Sequence, residues 1–396
     1  MREKLDQHLQ DAVSGSDAVG ESMAAVSAVV CDSDGLLYEG AFGERSPSGS
    51  PMTSDTVGAI MSMTKAITAT AAMQLVEQGK LSLDAPAAQV CPYLGEVQVF
   101  AGNDDAGEPL LRDPVRPVTL KNLLTHSSGF VYDLWNVQAQ QVQEKLGCPP
   151  ILTRLKKALE APLMFDPDER WEYGIGIDWV GQMVEAASGE TLGAYLSKHV
   201  TGPLGMQDTG FRPTEAMLEK MVVMQYRGED GELVVPPESD AMPQPLAPEF
   251  EMGGGGLLSS AVDYSRFLRM ILRGGELDGV RILESATVDA MCQNQMGHLR
   301  VGRLPTANPA MSLDAEFFPG DEKSWGLSFQ ISEESGFTGR PAGTLMWAGL
   351  SNCFFWIDRK NDVAGVFVSQ VLPFVDTACL DAYYKFEKIV YDDVNG

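Results

Sequence analysis

Basic residues are scarce in this 396-residue chain: 29 lysines and arginines stand against 55 aspartates and glutamates, a formal charge of −26. A balance of that sign weighs against nucleic acid and anionic membrane surfaces as partners. Hydrophobic runs are short, and none approaches the roughly 20 residues of a membrane-spanning helix. The N-terminal stretch MREKLDQHLQDAV is charged and amphipathic and lacks the apolar core of a signal peptide. Cysteine is sparse, and Cys31, Cys91, Cys148, Cys292, Cys353 and Cys379 form no C-x-x-C, so reduced, mostly buried thiols in a cytoplasmic protein are expected. Only His8, His126, His199 and His298 are available, with no pair at ligand spacing, so neither a metal nor another cofactor is expected. No serine lies in G-x-S-x-G, which disfavours a nucleophile elbow and a Ser-His-Asp triad. The run Gly253 to Gly256 is not followed by G-K-[ST], so close backbone approach is favoured over a phosphate cradle. No internal repeat is visible.

What is present is a soluble, globular composition, 44% apolar and 21% charged, long enough for one large or two ordinary cores. The stretch from Met61 to Gln78 reads as a continuous helix. Ile67, Ala71 and Leu75 recur every four residues, and Gly79 suits the left-handed residue that ends such a helix. Ser62 then lies at the helix N-terminus, where free N–H groups favour negative charge, and Lys65 lies one turn on along the same face. A serine beside a lysine there is a candidate activated nucleophile. Standing alone, the pair reads equally well as a capping serine with a solvated lysine, since about one S-x-x-K is expected by chance in a chain this long.

The other elements fall in order. Residues 3–13 read as a helix, and Ala25 to Cys31 with Leu36 to Gly43 as a hairpin about Asp32-Ser33-Asp34-Gly35. Asn103 to Pro117 reads as a loop or small excursion, and Thr119 as the cap of a helix through Leu124. Helices are expected over Ile151 to Leu159, Ile177 to Ala187, Ala261 to Leu272 and Asp376 to Tyr391, the last burying Ala382, Phe386, Ile389 and Val390. Val234 to Pro248 is proline-rich and irregular. Strands are expected over Trp325 to Ile331, Gly343 to Trp347, Cys353 to Asp358 and Val363 to Ser369, paired antiparallel through short links. The fold class is therefore α+β: one antiparallel sheet built from both chain termini and flanked by helices, beside a mainly helical insertion. Residues 1–95 and 300–396 are assigned to the sheet part and 96–299 to the insertion, with the site in the cleft between them.

Several ordered motifs then resemble one family. Ser62-Met63-Thr64-Lys65 matches the first motif of the serine β-lactamase and penicillin-binding-protein superfamily, and Phe165 to Tyr173 matches the approach to its catalytic tyrosine. Trp347-Ala348-Gly349 falls where β-lactamases carry K-T-G and the β-lactamase-like family VIII carboxylesterases typically carry W-x-G. Leu123 to Gly129, Pro203 to Met206 and Gly253 to Asp263 are supporting landmarks, so the resemblance spans roughly residues 20 to 370. Two departures matter. Ile175 replaces the asparagine of Y-x-N, and Trp347 replaces the K-T-G lysine. Apolar surface thus stands where β-lactam recognition is polar or charged.

The resemblance implies Ser62 as nucleophile, Lys65 and Tyr173 as the groups that handle its proton, and the N–H groups of Ser62 and Leu350 as the oxyanion hole. Trp347, Gly349, Tyr132 and Ile175 would belong to the substrate pocket. A neutral Lys65 and a phenolate Tyr173 are both open as the base. The expected activity is hydrolysis of small, uncharged, short-chain carboxylic esters through an acyl-enzyme, by a monomer or small homo-oligomer whose partner is the small-molecule ester. Acyl transfer from the same intermediate, β-lactam or D-amino-acid peptide hydrolysis, and non-catalytic ligand binding are the competing readings.

Overall fold

The computed structural model describes residues 1–15, 22–236 and 248–396. Its centre is a seven-stranded sheet, with β1 (Ala25–Cys31) and β2 (Leu36–Gly43) from the front of the chain. The rear supplies β3 (Lys323–Trp325), β4 (Gln330–Ser332), β5 (Leu345–Gly349), β6 (Cys353–Asp358) and β7 (Val363–Val368). The spatial order is β3-β4-β5-β6-β7-β1-β2, with every pairing antiparallel. The two ends of the chain meet where β7 pairs with β1, Phe367 opposite Ala28.

Both faces of the sheet are covered, which is why β6 is apolar at successive positions rather than alternately. Phe354 stacks on Tyr383 and Trp356 lies edge-on to Phe386, both on the C-terminal helix α5 (Thr377–Val394). Phe355, pointing the other way as strand geometry requires, meets Tyr264 of α4 (Ala261–Leu272). The helix α1 (Arg2–Ser14) lies beside α5 and against β2. Arg340 and Glu387 form an ion pair with neither side chain exposed, and Thr338 Oγ1 donates to the same carboxylate at 2.5 Å. Together they fasten the loop before β5 to α5.

The helix α2 (Thr64–Glu77) is buried along most of its length and packs on α3 (Gly176–Ser188). Gly79 follows it at φ 69°, as its sequence position required. Thr119 caps Leu120–Leu124 through a reciprocal pair of bonds with Asn122. Residues 261–272 were assigned to the insertion, yet α4 packs on β1, β6 and β7 and belongs with the sheet layer.

Four local expectations change. Ile151 to Leu159 is two 3₁₀ turns, Ile151–Thr153 and Lys156–Glu160, because Arg154 between them adopts a left-handed backbone at φ 53°. Trp325 to Ile331 is the bend from β3 into β4, closed by the Gly326 N–H donating to the Phe329 carbonyl at 2.8 Å. Within Asn103 to Pro117 the chain forms a hairpin, Val99–Asn103 against Pro109–Arg112. Ile389 is only half-buried on α5. Residues 237–247 of the proline-rich stretch lie outside the described residues.

Candidate active site

The chain enters α2 through a 3₁₀ turn, Met61–Met63, with Met61 left-handed at φ 46°. A non-glycine residue there is uncommon, and the turn is held from three sides. The Ile60 N–H donates to the Leu257 carbonyl, the Leu257 N–H donates to Thr64 Oγ1, and the Tyr264 hydroxyl donates to the Met63 carbonyl at 3.0 Å. On the fourth side runs β5, so close that a Cβ on Gly349 would run into the Ile60 carbonyl oxygen. Only glycine fits.

Lys65 is fully buried beneath this turn. Its Nζ lies 3.1 Å from Ser62 Oγ, 3.0 Å from the Tyr132 hydroxyl and 2.6 Å from the Gly254 carbonyl oxygen. The same nitrogen sits 4.7 Å from the Tyr173 ring centre and 5.1 Å from that of Tyr132. The two tyrosines reach the site on crossing loops. The Tyr132 N–H donates to the Tyr173 carbonyl, and a side chain on Gly174 would strike the Phe130 carbonyl. His126, also buried, accepts from the Gly174 N–H at Nδ1 and holds that crossing. The Tyr173 hydroxyl accepts from the Trp347 indole N–H at 3.0 Å, and Ser62 lies close enough to favour its ionised form.

Burial dominates the electrostatics. It lowers the Lys65 ammonium, with nearby Asp178 opposing the shift. It raises Asp178, against the pull of Lys65. Burial likewise raises both Tyr173 and Tyr132, so each is a protonated phenol at neutral pH. His126 is pushed well below the usual histidine range by burial and then by Lys65, leaving it neutral. Asp178, in the first turn of α3, accepts from the Gly254 N–H at 2.8 Å. Gly254 thus presents its N–H to Asp178 and its carbonyl to Lys65, and one residue links the two. A Cβ on Gly254 would lie 2.6 Å from the Asp178 carboxylate, which gives the glycine run its close approach.

Ser62, Tyr132 and Leu350 line a cavity of about 190 Å³ walled largely by apolar side chains, including Leu134, Trp135 and Met311. Trp347, Gly349 and Ile175 do not line it. Trp347 is buried behind Tyr173, Gly349 lies against Ile60, and Ile175 is buried at the start of α3. Among the described residues, no three of His, Cys, Asp and Glu gather as a metal site.

This geometry places the chain among known proteins. The sequence profile of the β-lactamase family matches residues 5–388. The chain belongs to the β-lactamase family. It is 34% identical to a lovastatin esterase of Penicillium rubens, over 92% of this chain and 94% of that protein. It is 30% identical to a monacolin J acid methylbutanoyltransferase of Aspergillus terreus, over 86% of this chain and 83% of the other. Unliganded simvastatin synthase from Aspergillus terreus has the same fold, with a TM-score of 0.81 at 28% identity, covering 100% of this chain and 99% of that one. As a β-lactamase-family protein of this esterase-like group, the chain is a serine hydrolase in the broad sense. It works through a serine nucleophile as an acyl-enzyme hydrolase or acyltransferase.

Sequence reasoning did not reach Asp178 or the Gly254 carbonyl. Asp178 had a signal, a lone carboxylate within the apolar stripe Ile177, Val180, Gly181 and Val184. Gly254 is joined to Lys65 across 189 positions, and no local pattern encodes that contact.

Proposed function

We propose that this enzyme hydrolyses carboxylic esters of short, uncharged acids through an acyl-enzyme on Ser62, with neutral Lys65 as the general base. The observation that carries the reading is the set of three partners around Lys65 Nζ. A neutral amine has two N–H bonds and one lone pair. The Gly254 carbonyl can only accept, and the Tyr132 oxygen can accept the second N–H. The lone pair is left to the Ser62 hydroxyl. Burial supports the free amine, and it disfavours phenolate on either tyrosine.

Ser62 Oγ bonds to the ester carbonyl carbon while its proton passes to Lys65 Nζ. The carbonyl oxygen, now negative, is met by the Ser62 and Leu350 N–H groups. As the tetrahedral intermediate collapses, the alkoxide leaves with a proton drawn from Lys65 through the Tyr173 hydroxyl. Tyr173 suits this relay, because accepting from Trp347 leaves its own hydrogen free to donate. Water repeats the sequence, returning the acid and Ser62. A short acyl group is supported by the size of the cavity beside Ser62, and an uncharged one by its apolar wall. The carboxyl on that wall, Asp133, is itself pushed up by burial.

Acyl transfer is the second reading, favoured by the relative named as a methylbutanoyltransferase. The test is a series of p-nitrophenyl esters of increasing acyl length beside nitrocefin, on wild type, Ser62→Ala, Lys65→Ala and Tyr173→Phe. Short esters should turn over fast and nitrocefin slowly. Ser62→Ala should lower kcat by about 10⁴-fold or more, and Tyr173→Phe by roughly 10²–10⁴-fold. Ester hydrolysis that survives Ser62→Ala would sink the reading. Ester product dominating over free acid when a competing alcohol is added would shift it to transfer.

A further inference from the structure

The two N–H groups assigned to the oxyanion hole lie on separate segments. Ser62 rides on the 3₁₀ turn that follows Ala59 and Ile60, and Leu350 is the first residue after β5. Each donor must stand about 2.7–3.1 Å from the same oxygen, so the offset between the segments matters as much as either position.

A buried polar cluster joins them. Ala59 pairs with Leu258 on one side. On the other, its peptide groups meet a side chain instead of a strand. Gln370, two residues beyond β7 and 4% exposed, accepts from the Ala59 N–H at Oε1 (3.0 Å) and donates from Nε2 to the Ala59 carbonyl (3.1 Å). The second Nε2 hydrogen is left to Ser351 Oγ and the Ser369 carbonyl. Ser351 Oγ itself donates to the Ala59 carbonyl at 2.7 Å. Since Gly349 abuts the Ile60 carbonyl, Leu350 is flanked on both sides by residues that touch the stretch leading into Ser62. The clamp is itself anchored, because the Gln370 carbonyl accepts from the Gln225 N–H at 2.9 Å. A Cβ on Gly58 would lie 3.0 Å from the Gln370 carboxamide, so the chain has little room to slide there. Lys65 Nζ has its own partners, Ser62, Tyr132 and Gly254, and Gln370 is not one of them.

We propose that Gln370 is a positioning residue for the oxyanion hole, setting with Ser351 the offset between the Ser62 and Leu350 N–H groups. A primary carboxamide suits the task, because it accepts and donates in one plane and so matches a peptide N–H and C=O together. Without it the Ala59 N–H stays buried and unpaired, and the stretch from Ala59 to Ser62 is free to shift against β5. A displacement of about 1 Å at such a site costs roughly a hundredfold in rate. The proposal rests on Ser62 as the acyl-accepting residue with the oxyanion hole beside it, and the test separates the two claims.

The probes are p-nitrophenyl butyrate and its thiono analogue, in which sulfur replaces the carbonyl oxygen. The sulfur anion formed on attack is larger and accepts hydrogen bonds weakly, so it gains little from the two donors. The readout is the ratio of kcat/KM for the oxygen over the sulfur ester within each protein, which cancels any loss of folded enzyme. Hydroxide in buffer gives the reference ratio. Wild type should exceed it by about a hundredfold or more. Gln370→Met, close in length but without hydrogen bonds, should lower kcat/KM on the oxygen ester roughly ten- to hundredfold and the ratio roughly tenfold. Ser351→Ala keeps the Gln370 bonds to Ala59 and should lower the ratio less; it carries the test if Gln370→Met does not fold. The acid limb of the pH profile should stay in place in both variants, since Lys65 keeps its partners. A ratio unchanged in the variants, while wild type exceeds hydroxide, makes the cluster merely structural and overturns the positioning role alone. An acid limb that moves while the ratio holds overturns it too, because the effect then falls on the base. A wild-type ratio no higher than that of hydroxide refutes the oxyanion-hole reading itself, and the positioning role with it.

Discussion

A lysine amine shut away from water loses much of its reason to stay protonated, and at Lys65 burial pulls the ammonium from 10.5 down to about 7. If the free amine takes the Ser62 proton, kcat/KM for p-nitrophenyl butyrate should rise with pH through that region and fall below it. The Asp178 charge raises Lys65, so Asp178→Asn should lower it further and move the acid limb to lower pH. Asparagine still offers Oδ1 to the Gly254 N–H, so the loop keeps its bond. An acid limb that stays in place, or moves to higher pH, would contradict Lys65 as the titrating base. At this scale the sequence was partly legible. The adjacency of Ser62 and Lys65 follows from helical spacing, and Tyr173 was found through its flanking residues. The hydroxyl of Tyr132 beside Lys65 was not legible, because it depends on where two loops cross. Nor was the part of Trp347, read as a pocket wall, whose N–H instead reaches back to Tyr173.

Among the elements, β1, β2, β6 and α4 have the bounds their patterns indicated, since hairpin turns, apolar runs and caps are local signals. Ile151 to Leu159 misled because its apolar spacing is helical, while a left-handed Arg154 breaks the backbone. The contact between β5 and the 3₁₀ turn of Ser62 is non-local, yet it decides the site's geometry. Gly349→Ala should force the turn and strand apart, destabilising the fold by about 1–3 kcal/mol as overpacking does. Ester turnover should fall further than the loss of folded protein accounts for, because Ser62 rides on that turn. Denaturant unfolding measured alongside kcat checks both. Full activity with wild-type stability would show that the close approach is not needed.

For the whole molecule, joining the two chain ends in one sheet was readable from strands at both ends with helices between. The extent of the inserted region was not, since α4 lies within it in sequence and on the sheet in space. The burial of Arg340 with Glu387 was equally silent in sequence. Glu387→Gln leaves the guanidinium buried without its counter-charge and should destabilise the enzyme by about 3–5 kcal/mol. A midpoint of unfolding that does not move would contradict it. All of this scaffolding serves one claim, that Ser62 carries the acyl group. The measurement that tests it most directly is peptide mass spectrometry on enzyme quenched during turnover of p-nitrophenyl butyrate. The butyryl group should be found on the peptide bearing Ser62, and no acylated peptide should appear in Ser62→Ala. A butyryl group trapped on another residue in wild type, with turnover intact in Ser62→Ala, would contradict the account.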